Sequence, residues 1–369
     1  MDPRTQFCHN MACPARGKVG EGNIVVHSRK DERYKCTVCK KTFVASRGTP
    51  FYWLRHPTEL FTTVVTLIAH GCPVQAIVAA FNLDERTVMD WQKRAGQHCQ
   101  HVHEHLVQRP RDLEQVQADE IRIKAQGKVL WLAMAIMVRT RLWLGGVISP
   151  SRDEQLIARL IGIVRTCALA RPLLFCVDGL ITYVRAIRRT FRSPLPARAG
   201  RPRLISWPDI LIGQVIKKYQ GKRVIGVLRR MAQGSLEAAQ MLIAKSQGGA
   251  QLNTAFIERL NATFRSRLAV LARRTRALLR HPPTLEPLMY LMGCVYNFCT
   301  YHRSLRVPGL IGGHKWIPRT PAIAAGIANH RWTVQELLSY RVPAPAWSPP
   351  VHRGRRSAIE KALIARWCT

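Results

Sequence analysis

Asn253-Thr254-Ala255-Phe256-Ile257-Glu258-Arg259-Leu260-Asn261-Ala262-Thr263-Phe264-Arg265-Ser266-Arg267-Leu268 is the stretch on which the reading of this chain turns. Ile257, Leu260, Phe264, Leu268 and Leu271 recur at steps of three and four, the spacing of one helical face. At about 100° per residue, Glu258, Asn261 and Arg265 make a second face roughly 90° from that apolar stripe. Arg259, Arg265, Arg267, Arg273, Arg274, Arg276 and Arg280 surround it, and no acid occurs from 259 to 280. A solvated salt-bridge face alternates its signs. A lone carboxylate at the head of an arginine-rich helix points instead to a metal-binding group held against a polyanion.

The chain has 369 residues, enough for two or three domains, and carries 57 Lys and Arg against 22 Asp and Glu, a formal charge of +35. With 47% hydrophobic residues it is a folded protein and not a disordered basic tail. Such a surface is expected to meet phosphates. The longest apolar run, 129–138, is half the length of a spanning helix, and the N-terminus shows neither an export signal nor a stop-transfer pattern. No membrane is expected. Eleven cysteines are too few and too scattered for a disulfide scaffold, which suits a reducing cytoplasm.

Four of those cysteines have metal spacing. Cys8-x4-Cys13 and Cys36-x2-Cys39 make two knuckles 22 residues apart, the pattern of a zinc ribbon holding one structural Zn²⁺. His9 is a substitute ligand in reserve. Residues 23–27 and 33–35 read as strands. Residues 58–94 predict a helix-turn-helix, with helices at 59–70, 74–81 and 85–94. The third would be the recognition helix, presenting Thr87, Asp90, Gln92, Lys93 and Arg94 to base edges. His98, His101 and His105 share a helical face, but no partner ligand is implied, so residues 97–105 read as an exposed helical linker.

From Leu113 the pattern changes to strands at 116–123, 129–138 and 142–148. Ser151-x-x-Glu154 reads as a capping box opening a helix to about residue 170. Leu173-Leu174-Phe175-Cys176-Val177 is a buried strand ending on Asp178-Gly179. Three meandering strands, a crossover helix and a parallel fourth strand give the fold class: α/β, an RNase-H-like mixed sheet with flanking helices, preceded by the ribbon and the helical segment. Residues 185–230 hold thirteen Lys or Arg and the single acid Asp209, and read as a basic insertion lying along nucleic acid, irregular in its first half and strand and turn over 210–228. Segment boundaries are expected at 1–50, 51–110, 111–303 and 304–369, with residues 342–369 a mobile tail.

In such a sheet the first and fourth strands are neighbours, so Asp119 and Asp178 converge and the 253–268 helix can bring in Glu258. Three carboxylates can hold two Mg²⁺ (or Mn²⁺) ions roughly 4 Å apart, one at the attacking and one at the leaving oxygen. Glu120 follows Asp119 and so should point to the opposite face. Asp153 and Glu154 are accounted for by helix capping, and Glu237 and Glu286 by the surface.

Tyr34-Lys35-Cys36-x-x-Cys39 with Phe43, Ala118-Asp119-Glu120-Ile121, Val177-Asp178-Gly179-Leu180 with Tyr183, Ile257-Glu258-Arg259-Leu260-Asn261 with Arg265, Tyr301-His302-Arg303, and Thr320-Pro321-Ala322-x-Ala324-Ala325-Gly326 with Trp332 form a joint pattern. Over residues 8–340 the chain resembles the zinc-ribbon DDE transposases of the insertion-sequence-one type. The resemblance implies a catalytic triad of Asp119, Asp178 and Glu258, with Arg265 placed against DNA. It implies double-stranded DNA, both element ends and target, as partner, a homo-oligomer on that DNA, and a nucleoid-associated life in a prokaryotic cytoplasm. Arg265, Arg267, Arg273 and Arg274 are the expected phosphate contacts. Two departures stand out: the ribbon and catalytic parts are continuous in one chain, and the 185–230 stretch is long and arginine-rich. The alternative reading is a DNA-binding regulator with an inactive sheet; a structure-specific nuclease is the third.

Overall fold

The computed structural model of the protein describes residues 1–195, 202–221, 223–247, 249, 251–273, 278–309, 315–351, 354 to 368. In chain order the elements begin with strands β1 (Ile24–Ser28), β2 (Arg33–Cys36) and β3 (Thr42–Val44). Helices α1 (Thr58–Ala69), α2 (Val74–Phe81) and α3 (Glu85–Leu106) follow. Next come β4 (Gln115–Ala125), β5 (Lys128–Met137), β6 (Leu142–Ser149), α4 (Glu154–Cys167), β7 (Leu173–Val177) and α5 (Ile181–Thr190). Strands β8 (Arg192–Pro194), β9 (Leu204–Ser206), β10 (Ile210–Gln220) and β11 (Arg223–Gln233) lead to α6 (Leu236–Gln247), α7 (Ala255–Arg267) and α8 (Leu285–Cys294). The chain closes with β12 (His302–Pro308), β13 (Trp316–Arg319), α9 (Pro321–Ala324), α10 (Val334–Ser339) and α11 (Ala358–Trp367).

Two compact units result: Met1–Thr58 with Leu338–Thr369, and Glu59–Leu337. In the first, β1, β2 and β3 form an antiparallel sheet. Its core gathers Cys8, Cys13, Ile24, Tyr34, Cys36 and Phe43 around Trp367 of α11. The sequence reading of 342–369 as a mobile tail is therefore corrected. Ser357 and Glu360 cap α11 reciprocally, and Leu363 and Trp367, four residues apart, turn one apolar face into the core.

The second unit holds a six-stranded mixed sheet, order β11-β10-β7-β4-β5-β6, flanked by helices. Strands β4, β5 and β6 meander antiparallel, while β7 runs parallel to β4 and β10 parallel to β7. The first and fourth sheet strands are neighbours, as expected. The basic insertion is corrected, because β10 is a strand of the main sheet. Ile210-Leu211-Ile212-Gly213-Gln214-Val215 is buried and pairs with β7, and only from Lys218 does β10 run out into solvent as one arm of a hairpin. The N-cap of α4 is Asp153, whose carboxylate accepts from the Leu156 amide; Ser151 donates to Asp153 instead of capping the helix itself. On the outer edge, Asn297 Oδ1 accepts from Trp143 N and its Nδ2 donates to Trp143 O, closing β6 as a neighbouring strand would.

Helices α2 and α3 start at the expected residues and α1 one residue early, with left-handed Asn82 ending α2 and Asp84 capping α3. They belong to the second unit, because α3 continues to Leu106 and packs on α8. At the crossing a Cβ on Gly96 would lie 2.2 Å from the Pro287 carbonyl oxygen, so only glycine lets the backbones approach this closely. The exposed linker at 97–105 is thereby corrected. His98 and His103 are buried, their Nε2–H groups donating to the carbonyls of Leu337 and Leu144, and burial pushes both imidazoles down to about 4.

Candidate active site and cysteine metal site

The site is built where β7 ends between its parallel neighbours β4 and β10. Gln117 of β4 pairs with Cys176 of β7, so Asp119 and Asp178, two residues beyond each, stand level with one another. Gln214 of β10 pairs with Val177, which brings Lys217 to the same end. Crevices beyond the carboxyl ends of parallel strands are the usual ligand position in open α/β sheets. Here the crevice is a cavity of about 890 Å³ lined by Asp119, Asp178, Glu258, Arg152, Lys217, Tyr219, Arg265 and Arg273, among others.

Glu258 reaches that cavity because α7 is docked by a residue of β4. The N-cap residue of α7, Thr254, makes no side-chain capping bond, and within the segment Asn253 Oδ1 accepts only from the Ala255 amide. Fully buried Gln117 caps the helix across the fold: its Oε1 accepts from the amides of Phe256 and Ile257, and its Nε2 donates to the Asn253 carbonyl. Ile257, Leu260 and Phe264 fill the apolar side as expected, and Leu268 and Leu271 are buried too, beyond the helix end at Arg267. Asn261, expected on a separate face, is 1% exposed and donates from Nδ2 to Asp119 Oδ2 at 2.9 Å.

The carboxylates are held unequally. One oxygen from each of Asp119, Glu120 and Asp178 lies within 4.8 Å of the others. Glu120 is buried and its carboxylate takes Arg152, whose Nη2 lies 2.8 Å from Glu120 and 3.2 Å from Asp178. The expectation that Glu120 points to the opposite face from Asp119 is therefore corrected: its oxygen lies within 4.8 Å of those of Asp119 and Asp178, and Arg152 ties it to Asp178. Burial, then the Glu120 charge, pushes Asp119 up to about 6. Burial also raises Glu120. Partial burial works to raise Glu258, but hydrogen bonds from Lys217 and Thr254 outweigh it and hold this carboxyl below its ordinary value. Hard carboxylate oxygens in this number suit Mg²⁺ or Mn²⁺.

The four ribbon sulfurs meet the zinc test as well. Cys8 and Cys39 Sγ are 3.6 Å apart, and Cys13 and Cys36 Sγ 3.8 Å apart, with all four within 4.8 Å of one another. A tetrahedron with Zn–S bonds of about 2.3 Å has edges of about 3.8 Å. His9 is not part of that group.

Among the expected DNA contacts, Arg265 and Arg273 line the cavity, and Arg265 Nε is buried with no protein partner. Arg267 is corrected: two residues on, it points to the far side of α7, half-buried near Tyr296 and Cys299. Gln92 is corrected too, being 5% exposed and turned into the helical core. Thr87 and Arg94 are half-buried and Lys93 is exposed. Arg274 lies outside the described residues. Sequence reasoning missed Gln117, Arg152 and Lys217. The signal for Gln117 was a polar residue at an inward position of an apolar strand; the other two carried none.

No family model and no curated protein matches the sequence. Among solved structures the chain is similar to a piggyBac transposase synaptic complex with hairpin DNA, at 10% identity and a TM-score of 0.32. The match covers 67% of this chain and 66% of that one, so just under two thirds of the neighbour's length is spanned, and it carries no argument here. Among the described residues no helix is long and apolar enough to cross a membrane.

Proposed function

We propose that the protein is a DDE-type DNA transposase, with an RNase-H-like catalytic core, that cleaves and joins DNA strands at the ends of a mobile element. One observation carries the reading: Asp119, Asp178 and Glu258 line a single cavity beyond the end of β7, with Arg265 and Arg273 in the same lining. Asp119, Asp178 and Glu258 would hold Mg²⁺ or Mn²⁺, which when bound activates an attacking oxygen and stabilises a leaving one. Asn261 orients Asp119, Arg152 orients Asp178, and Gln117 sets the helix that carries Glu258. Arg265 and Arg273 face the phosphates of the strand being cut. Thr87, Lys93 and Arg94 read the element's ends, in the manner of a recognition helix. Cys8, Cys13, Cys36 and Cys39 hold one structural zinc. A homo-oligomer on double-stranded DNA completes the proposal.

The test is Mg²⁺-dependent nicking of a supercoiled plasmid carrying the element's ends. Asp119→Ala, Asp178→Ala and Glu258→Ala should each reduce cleavage to background while the fold, followed by circular dichroism, persists. Normal cleavage by Glu258→Ala would remove that residue from the site; normal cleavage by all three would remove the function.

A further inference from the structure

Lys217 sits where two systems meet. It is half-buried just past the buried run of β10, and the next residues, Lys218 and Tyr219, already stand in solvent on the β10–β11 hairpin with Arg223. Its Nζ donates to Glu258 Oε1 at 2.5 Å, the same oxygen that accepts from the Thr254 hydroxyl at 2.6 Å. The lysine and glutamate side chains are 32% and 45% exposed, and ion pairs this open to water are weak and exchangeable. Glu258 is also set apart from the other acids: Asp119, Glu120 and Asp178 form the close group of oxygens, and Glu258 is not in it.

An ammonium and a divalent cation compete for one carboxylate oxygen, and a phosphate competes with that carboxylate for the ammonium. We propose that Lys217 is a DNA-operated latch on Glu258. Backbone phosphates on the hairpin draw Lys217 off the glutamate, freeing it for the divalent cation, so that DNA and metal bind cooperatively. This rests on the reading of Asp119, Asp178 and Glu258 as a metal-holding site. Cooperation of this kind is reciprocal, since each ligand must raise the affinity for the other by the same factor.

The experiment measures Mn²⁺ binding to the full chain by electron paramagnetic resonance, with and without a short duplex at fixed salt. Only the binding lost in Asp119→Ala is counted, and Mn²⁺ taken up by duplex alone is subtracted. DNA should tighten Mn²⁺ binding to the wild type about fivefold or more, the lower end of typical coupling. Lys217→Gln should bind Mn²⁺ that tightly without DNA and gain nothing further from it. Lys218→Gln, which removes the same charge one residue away, should bind Mn²⁺ as weakly as wild type without DNA and still tighten when the duplex is saturating. The latch is overturned if DNA leaves Mn²⁺ affinity unchanged, if Lys217→Gln matches wild type, or if Lys218→Gln reproduces its effect. Absence of any Asp119-dependent Mn²⁺ binding is a different result, and overturns the proposed catalytic centre itself.

Discussion

Asp119 and the two buried histidines carry opposite pH signatures, and both follow from burial. The Asp119 carboxyl is raised from 3.8 to about 6, so the folded state holds its proton more tightly than the unfolded chain does. Its contribution to stability is whole below about pH 4 and is lost as pH rises through about 6. Asp119→Asn removes that loss. In buffer without Mg²⁺ or Mn²⁺, denaturant melts should show the variant no more stable than wild type at pH 4 and more stable at pH 7.5, by at most about 3 kcal/mol. His98 and His103 run the other way. Their folded values are lowered to about 4, so the stability they contribute is present above about 6.5 and lost as pH falls through about 4. Melts followed by near-ultraviolet circular dichroism should show the second unit weakening steadily between those limits. Asn261, by contrast, was legible by position and not by role: the helical spacing put it beside Glu258, but only the fold shows its amide on Asp119.

At the scale of elements, the decisive contact is a strand side chain serving as a helix cap. Gln117→Leu keeps the volume roughly and removes four hydrogen bonds to the 253–257 segment. Leaving buried amides unpaired costs about 1–3 kcal/mol. The variant should melt earlier and cleave poorly, and a Gln117→Leu protein with wild-type melting and cleavage would show that α7 is positioned by its apolar face alone. The ribbon offers the matching test. Cys36→Ser should release the zinc and unfold the β1–β3 sheet, because in so small a unit metal binding supplies folding energy. Elemental analysis should find about one zinc per chain in wild type and none in the variant. Helix bounds such as 74–81 were readable because period and caps lie close together in sequence. Strand and turn were readable over 210–228 as well, but the place of β10 in the main sheet was not, because its apolar start is followed at once by Lys217 and Lys218, and the charge of the second half masked the pairing of the first.

For the whole molecule, on the proposed reading, a charge of +35 sets how tightly DNA is held but not where. Phosphate contacts from the exposed hairpin should each contribute about 0.9 to the log–log salt slope of binding, whatever the DNA sequence. Lys218→Gln with Arg223→Gln should therefore flatten that slope by up to about 1.8 in competition binding, leaving any preference for element ends unchanged. The first unit makes a separate prediction. Trp367→Ala empties the core formed with the metal cysteines, a loss of about 3–5 kcal/mol for a buried aromatic, and should loosen zinc in a chelator titration. What the sequence determined by itself was set by local spacing: the cysteine knuckles, the three helices between 58 and 94, and the antiparallel meander with β7 beside β4. What only the tertiary structure decided was how those pieces are held: Gln117 across to α7, Arg152 between Glu120 and Asp178, Lys217 on Glu258, and α11 on the ribbon. Each of these joins residues far apart in the chain, and no periodicity, cap or motif spacing can encode a contact whose two halves are related only by the path of the backbone between them.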